Sequence, residues 1–261
     1  MEYTKVSSGT LLFFEKIVRS HPLLYYIVRS LIRFTNIFEE DANGVAFLKF
    51  KDKVNIIDVG ASDGIATKFF KNKLNINKII CVEPNKSYIN ILRKLKIKNL
   101  QVYPYAIGEK NEVYDIYYPR YMLFKKKFDL ITYTFYDLNE LKKFIKLHFL
   151  FRKNISIVKE KIKIKKFEKK NFKVDLIKID TNGFELSILK GIKDIIKKHK
   201  PAILLETGKD IIKIEKLLKK FNYDKFLFSN SSKNFSKIKR KYPLNTYFLQ
   251  KNHLKISKDL H

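Results

Sequence analysis

The stretch Asn55-Ile56-Ile57-Asp58-Val59-Gly60-Ala61-Ser62-Asp63-Gly64 decides the fold. Its first half is an apolar run that predicts a buried strand ending near an acid. Gly60 and Gly64 then flank a tight turn into a helix, because glycine adopts backbone conformations that other residues avoid. Asp63 is the predicted N-cap of that helix, whose free N–H groups would face an anionic group such as a carboxylate. The stretch therefore predicts a strand, a glycine turn and a helix, with a ligand at the turn.

The sequence after this stretch alternates short Ile- and Val-rich runs with longer segments of helical period. Such alternation is typical of βα units around a parallel sheet. The predicted strands are 54–59, 78–82, 100–105, 174–179, 202–206, 225–229 and 246–250. The predicted helices are 63–73, 86–96, 185–198 and 209–221. The last two strands flank the Asn- and Ser-rich stretch 229–234, so we expect an antiparallel hairpin at the end of the sheet.

Residues 108–172 interrupt this alternation. They predict a strand over 113–118, an amphipathic helix over 138–151 and an edge strand over 155–167, where Ile and Val alternate with Lys. We expect this insertion to contribute to substrate selection. Residues 1–48 predict a helical extension, and residues 49–261 the main domain.

The chain carries a large positive charge. It has 55 Lys and Arg against 26 Asp and Glu, a formal net charge of +29 over 261 residues. Such a field attracts nucleic acid, anionic lipid or acidic substrates. Only seven of the 55 are Arg, however, and the lysines are spread over the whole chain, whereas nucleic-acid proteins favour the guanidinium group. A non-catalytic, basic nucleic-acid-binding module is therefore an alternative.

Cysteine content and hydropathy bear on the compartment. The single cysteine, Cys81, excludes an internal disulfide and a cysteine-built metal site, so we expect a cytoplasmic protein. No uncharged run reaches the roughly 18 to 20 residues of a membrane span, and no signal-peptide pattern is present. Residues 10–38 combine apolar and basic side chains. We expect them to cap the main domain, with peripheral contact to an anionic membrane or a partner as the alternative.

Acidic residues stand at the ends of four predicted parallel strands, namely Asp58, Glu83, Asp180 and Glu206. Ligands of open α/β sheets bind at the carboxyl ends of the strands, so we expect the four carboxylates to line one crevice. Glu83 follows Asp58 by 25 residues, near the spacing at which an acid on the next strand binds ribose hydroxyls. Clustered carboxylates suit a cationic sulfonium, a ribose, a proton acceptor or a metal.

Residues 60–64 also fit the pattern G-x-S-x-G, the nucleophile elbow of serine hydrolases. That elbow needs several strands and an oxyanion-hole loop before it, whereas the residues preceding 54 predict helices without a glycine-rich loop. His148, His199 and His253 also lack the expected order of an acid followed by a histidine. A serine hydrolase using Ser62 is a further alternative.

Four blocks of the sequence carry a resemblance to a known family: Ile57–Gly64, Cys81–Asn85, Tyr105–Gly108, and Leu176–Glu185 together with Leu189-Lys190-Gly191. In this order they resemble the FkbM-type family of S-adenosylmethionine-dependent methyltransferases, over roughly residues 54–208. The resemblance implies an α/β, Rossmann-like class I methyltransferase fold, with a mostly parallel seven-stranded sheet and a C-terminal antiparallel hairpin. It also implies S-adenosyl-L-methionine as the cofactor and O-methylation of a hydroxyl, often on a sugar, glycan or natural product.

The resemblance and the motifs agree on a cofactor site. The methionine part is expected at Asp58, Gly60, Ala61 and Gly64, the ribose at Glu83, and the adenine at Tyr105, Ala106 and Ile107. An RNA or protein methyltransferase is the alternative enzyme, although the sequence has no Asn-Pro-Pro-Tyr-type motif.

Catalysis in such an enzyme consists mainly of alignment and removal of a proton from the acceptor hydroxyl. We expect Asp180 to be the general base, with Glu206 as the second candidate. Because side chains alternate along a strand, Lys178 lies on the same side as Asp180 and is expected to hold it by a salt bridge. No metal is predicted, although a divalent ion held by Asp180 and Glu206 stays open.

Overall fold

The structure is a computed structural model that describes residues 17, 21, 24, 25, 27, 28, 30, 31, 40–123, 125–149, 152–167 and 172–255. Most of the predicted N-terminal helical region, and with it the surface expected over residues 10–38, lies outside the described residues. The chain divides into two compact units. The small unit comprises Met1–Asn36 and Val113–Ile162, and the large unit comprises Ile37–Glu112 and Lys163–His261.

The described residues form strands and helices in an α/β sequence. The strands are β1 (Val54–Val59), β2 (Ile76–Val82), β3 (Leu100–Tyr103), β4 (Ala106–Ile107), β5 (Glu112–Leu123), β6 (Lys126–Asp129), β7 (Ile155–Lys165), β8 (Leu176–Ile179), β9 (Ala202–Glu206), β10 (Asp224–Ser229), β11 (Asn234–Lys237) and β12 (Asn245–Leu249). The α-helices with defined bounds are α1 (Ile65–Lys73), α2 (Lys86–Arg93), α3 (Leu138–His148), α4 (Glu185–Gly191), α5 (Lys193–His199) and α6 (Ile211–Lys219). Short 3-10 helices lie at Glu40–Phe47, Ile131–Tyr133, Arg152–Asn154 and Lys251–His253.

An eight-stranded sheet forms the centre of the large unit, in the order β11-β10-β12-β9-β8-β1-β2-β3. The five strands from β9 to β3 are parallel, while β12 runs antiparallel to both β9 and β10. This is the mostly parallel sheet with antiparallel terminal strands that the sequence predicts. It has one strand more than the expected seven, because Asn234–Lys237, in and just after the predicted turn, pairs with β10 as an edge strand.

Each face of this sheet packs against its own apolar cluster. Ile57 and Val59 of β1 lie in a cluster with residues of α4, α5 and α6. Ile56, one position away, lies in a second cluster with α1 and the 3-10 helix Glu40–Phe47. Since successive residues of a strand point to opposite faces, these clusters lie on the two sides of the sheet. The short β-branched runs that predict the strands are therefore buried on both faces, as in parallel sheets generally.

The 3-10 helix Glu40–Phe47 belongs to the large unit and packs on the sheet, so the predicted boundary at residue 48 falls within that unit. Asp41 accepts hydrogen bonds from the main-chain N–H and the side-chain amide of Asn245, each at 2.9 Å. Tyr247 Oη donates to the Asp41 carbonyl, also at 2.9 Å. These bonds join the segment to β12.

Helix boundaries differ from the prediction at two glycines. α1 begins at Ile65 with Gly64 at its N-cap, in a left-handed conformation of φ +81° and without a side-chain cap. Asp63 as the N-cap was therefore wrong. The predicted helix 185–198 is two helices, and Ile192 between them has a non-helical φ of −111° and ψ of 14°. A Cβ at Gly191, the last residue of α4, would lie 2.1 Å from the carbonyl oxygen of Gly108. The chain turns at this close contact before α5 begins.

The third strand ends earlier than predicted, at Tyr103. Pro104 follows, and a proline lacks the N–H group that would continue the ladder. Ala106 and Ile107 then form β4, which pairs with the last residues of β7 within the large unit.

The small unit contains most of the predicted insertion. β5 extends beyond the predicted strand 113–118 and pairs antiparallel with β6, an unpredicted strand. Arg120 Nη2 donates to Asp129 Oδ2 across this pair, at 2.9 Å. Tyr25, Leu130 and Phe149 form a small apolar cluster.

Among all helices of the described residues, none has the length and apolar character that a membrane span requires.

We expect Gly191→Ala to destabilise the protein by about 1–3 kcal/mol, because the added methyl group would overlap the backbone of Gly108. Urea unfolding followed by circular dichroism measures this difference. Lys193→Ala, at an exposed position in the next turn, is the control and is expected to stay within about 0.5 kcal/mol of wild type. Equal stability of Gly191→Ala and wild type would contradict the close packing of these two backbones.

Candidate functional site

The turn after β1 is shaped by contact with the loop after β8. Gly60 has a φ of +75°, and a Cβ at this position would lie 1.9 Å from the carbonyl oxygen of Asp180. The space that glycine leaves open at residue 60 is thus occupied by the protein's own backbone. Gly60 N–H donates to the Val82 carbonyl at 3.0 Å, which fixes the turn against β2 as well.

Glu83 joins this turn to the loop after β2. Its Oε2 accepts from the Ser62 main-chain N–H at 2.9 Å, and its Oε1 accepts from the Asn85 N–H at 2.8 Å. Asn85 in turn caps α2, accepting from the Ser87 N–H at 2.9 Å. One carboxylate therefore holds together two neighbouring loops at the carboxyl end of the sheet.

The environment of Glu83 disfavours its ionised form. Only 6% of the residue is exposed, and this burial raises the pKa of the Glu83 carboxyl to about 7, although the N–H groups of Asn85 and Ser62 oppose the rise. A buried carboxylate that has two donors still has lone pairs to share. Hydroxyl donors from a ligand would stabilise the charged form and lower the pKa.

Lys178 is a buried cation between β1 and β8. Its Nζ lies 3.1 Å from Asp180 Oδ2 and 3.5 Å from Asp58 Oδ1, and it donates to the Gly60 carbonyl at 3.3 Å. The ion pair with Asp180 is the contact expected from the alternation along β8. The Asp180 side chain is 36% exposed, whereas the Lys178 side chain is 5% exposed. The Asp180 carboxylate therefore contacts a buried cation on one side and solvent on the other.

Asp58 has no exposed surface and faces the interior. Its Oδ2 accepts from Thr67 Oγ1 at 2.7 Å, and Cys81 Sγ lies 3.2 Å from the same hydroxyl. Since the Thr67 proton goes to Asp58, the Cys81 thiol is the donor of the second bond. Burial raises the pKa of Cys81 and keeps the thiol protonated. Asp58 thus contributes to the edge of the sheet through Lys178.

Glu206 ends β9, the strand next to β8, so it lies on the same edge of the sheet as Asp180. It is half-buried and stands opposite Asn245 of β12. No cluster of three or more His, Cys, Asp or Glu side chains suited to a metal ion occurs among the described residues.

The residues predicted for an adenine ring are placed differently from one another. Tyr105 is half-buried, and its ring centre lies 5.6 Å from that of Tyr103. Ala106 and Ile107 are buried, with Ile107 inside the core cluster, so they face the interior. Tyr103, which the sequence analysis missed, accepts from the Glu83 N–H at 3.1 Å through its carbonyl. Because Pro104 cannot continue the ladder, the sequence places Tyr103 at the carboxyl end of β3. This position is the signal that could have identified it.

Two of the three histidines named above accept main-chain hydrogen bonds. His199 Nδ1 accepts from the Val174 N–H at 3.3 Å, and His253 Nδ1 accepts from the Gln250 N–H at 2.9 Å.

Ser62 Oγ is buried without a hydrogen-bond partner in the part of the chain that the structure describes. A serine nucleophile requires a base at hydrogen-bond distance, so this arrangement does not support a serine hydrolase.

Among the solved structures that are similar to this chain are the following three. FkbM methyltransferase from Methylobacillus flagellatus KT is 16% identical, with a TM-score of 0.50, and the match covers 87% of this chain and 50% of that one. The chain therefore spans about half the length of that protein. Precorrin-6y C5,15-methyltransferase from Geobacter metallireducens GS-15 is 14% identical, with a TM-score of 0.37 and coverage of 80% and 84%. TrmK from M. capricolum, in complex with S-adenosyl-homocysteine, is 12% identical, with a TM-score of 0.39 and coverage of 85% and 73%.

The large unit has the class I, Rossmann-like methyltransferase fold. No curated protein matches the sequence. The family model described as Methyltransferase FkbM domain matches residues 58–227, from the acid near the end of β1 to β10. Because this match covers more than half of the chain, the protein belongs to the FkbM methyltransferase family.

Proposed function

We propose that this protein uses S-adenosyl-L-methionine to methylate a hydroxyl group of a sugar, glycan or natural product. Membership of the FkbM family supports methyl transfer. The choice of cofactor rests on Glu83, whose buried carboxylate accepts hydrogen bonds both from the turn after β1 and from the residue before α2.

The residues around Glu83 suit a nucleoside with an amino-acid tail. A ribose diol has two hydroxyl donors, and each Glu83 oxygen has a lone pair beyond its main-chain N–H partner. Burial leaves this carboxylate poorly solvated, so its ionised form gains from such donors. Ser62 Oγ, buried without a hydrogen-bond partner among the described residues, supplies a polar atom for the methionine part.

The remaining residues of the site divide by their surroundings. We assign the methionine part to the turn residues Gly60, Ala61 and Gly64, while Asp58 acts through Lys178. We assign the adenine to Tyr105 and its neighbour Tyr103, with Ala106 and Ile107 supporting them from the interior. When bound, the cofactor supplies a methyl group on a positively charged sulfur.

Asp180 is the proposed general base. An acceptor hydroxyl loses its proton as its oxygen forms the new bond to carbon, so a carboxylate has to lie beside it. Asp180 meets this need because its carboxylate is partly exposed at the carboxyl edge of the sheet and is held by Lys178. Asp58, which is fully buried, lies 3.5 Å from the same ammonium group and is its second anionic partner. Glu206, on the adjacent strand, is the second candidate.

Glu83→Ala is expected to weaken the binding of S-adenosylhomocysteine by about 10- to 100-fold, since hydrogen bonds to a charged group contribute about 1.5–3 kcal/mol. Isothermal titration calorimetry measures the affinity. Glu109→Ala, which removes an exposed acid after β4, is the control and should bind like wild type. Equal affinities of Glu83→Ala and wild type would show that the nucleoside binds elsewhere.

The pH dependence of this binding follows from the raised pKa of Glu83. Below pH 7 the unliganded carboxyl is protonated, so a ligand that needs the carboxylate must displace a proton. The affinity for S-adenosylhomocysteine should therefore fall up to about tenfold for each pH unit below 7 and level off above it. Titrations between pH 5.5 and 8.5 in several buffers test this. A constant affinity for wild type, or the same slope in Glu83→Ala, would contradict the assignment.

Asp180→Asn is expected to lower methyl transfer by about 100-fold or more, the usual contribution of a general base. Its affinity for S-adenosylhomocysteine should stay close to that of wild type, because Glu83 is untouched. The measurement is incorporation of labelled methyl groups from S-adenosylmethionine into a panel of sugars and hydroxylated natural products. Undiminished incorporation by Asp180→Asn would exclude Asp180 as the base, and Glu206→Gln would then be the next variant.

A further inference from the structure

We infer that Glu185 is a positioning residue, whose carboxylate fixes the loop between Asp180 and α4 and so sets the geometry of the acceptor side of the site. This inference rests on the proposed function, which places the acceptor hydroxyl beside Asp180. Glu185 is the first residue of α4, and only 3% of it is exposed.

One oxygen of Glu185 receives three hydrogen bonds from the loop. Oε1 accepts from the Thr181 main-chain N–H at 3.3 Å, from Thr181 Oγ1 at 3.1 Å and from the Gly183 N–H at 2.8 Å. Main-chain N–H groups that converge in a turn form a concavity for an anion. Here the anion in that concavity is the side chain of the helix that follows.

The backbone of the loop is left-handed at two successive residues. Asn182 has a φ of +55° and Gly183 a φ of +108°, so two successive residues lie in the left-handed half of conformational space. Asn enters this region more readily than other non-glycine residues, and local hydrogen bonds hold it there. The three hydrogen bonds to a charged oxygen supply that restraint on both sides of Asn182.

Glu185 also reaches the loop after the neighbouring strand β9. A Cβ at Gly208 would lie 3.2 Å from Glu185 Oε2, so glycine at this position lets the second oxygen approach the backbone. Gly208 lies two residues beyond Glu206. The buried carboxylate therefore stands between the loops that follow the two acids proposed for proton removal.

The opposite side of the loop is open. A Cβ at Gly183 would meet only Lys209 Cε, at the ordinary contact distance of 3.8 Å. Asn182 is exposed. The loop is thus held from the protein side by Glu185 and presents its other side outward, which is the arrangement that a surface for an acceptor requires.

Amide hydrogen exchange of the full-length protein tests this role. In Glu185→Ala the exchange of residues 181–184 should become about tenfold faster or more, and added formate should restore most of the protection by filling the concavity with a carboxylate. Ile188→Val, in the same helix, is the packing control and should not respond to formate. With labelled S-adenosylmethionine and an acceptor that wild type methylates, the kcat of methyl transfer should fall about tenfold or more in Glu185→Ala and recover in part with formate. The affinity for S-adenosylhomocysteine should stay unchanged.

Three results would overturn the inference: unchanged exchange in Glu185→Ala, faster exchange that formate does not slow, or a kcat equal to that of wild type. If Glu185→Ala does not fold, Glu185→Gln tests the same claim, because its neutral oxygen accepts weaker hydrogen bonds and should give a smaller acceleration. Wild-type exchange in Glu185→Gln would then overturn it. Failure of wild type to bind S-adenosylhomocysteine would instead contradict the proposed cofactor, and the exchange data, recorded without ligand, would still decide the role of Glu185.

Discussion

A buried ammonium group inside a β-sheet has to be neutralised, and in this protein that requirement organises the edge where the chemistry is proposed. Lys178 of β8 stands in register with Asp58 of β1 and forms ion pairs with Asp58 and with Asp180, which follows β8. Removing a charge from water is costly unless oppositely charged and polar partners surround it. The Gly60 carbonyl completes the set, so the turn after β1 is tied to β8 by the same group.

The polar residues of this edge lie on one face of the sheet and divide the work between them. Asp58, Cys81 and Lys178 occupy the same register row on neighbouring strands, and Glu83 and Asp180 each follow two positions later. Glu83 connects the two loops assigned to the nucleoside, whereas Lys178 orients the acid assigned to the acceptor. The preceding row on this face consists of Ile56, Ile79 and Leu176, which are apolar and fully buried and support these groups.

Periodicity and glycine positions were enough to predict the parallel strands, their order along the chain and the acids at their ends. They could not reveal which carboxylates face inward, because Asp58 and Asp180 look alike in sequence, whereas tertiary packing buries Asp58 and leaves the Asp180 side chain 36% exposed. The close contact of Gly191 with Gly108, more than 80 positions away in the chain, likewise depends on tertiary packing and has no local signal. β11 was missed because polar Asn and Ser residues predict a turn, while pairing with β10 outweighs that preference. Glu185 stood in a recognised motif, but only the folded loop shows what it binds.

The most direct test of the central claim is a crystal structure of the protein with S-adenosylhomocysteine bound. The account predicts that the two ribose hydroxyls lie at hydrogen-bond distance from the Glu83 carboxylate, with the sulfur atom turned toward Asp180. A nucleoside bound away from Glu83, or a sulfur atom separated from Asp180 by the turn after β1, would contradict it.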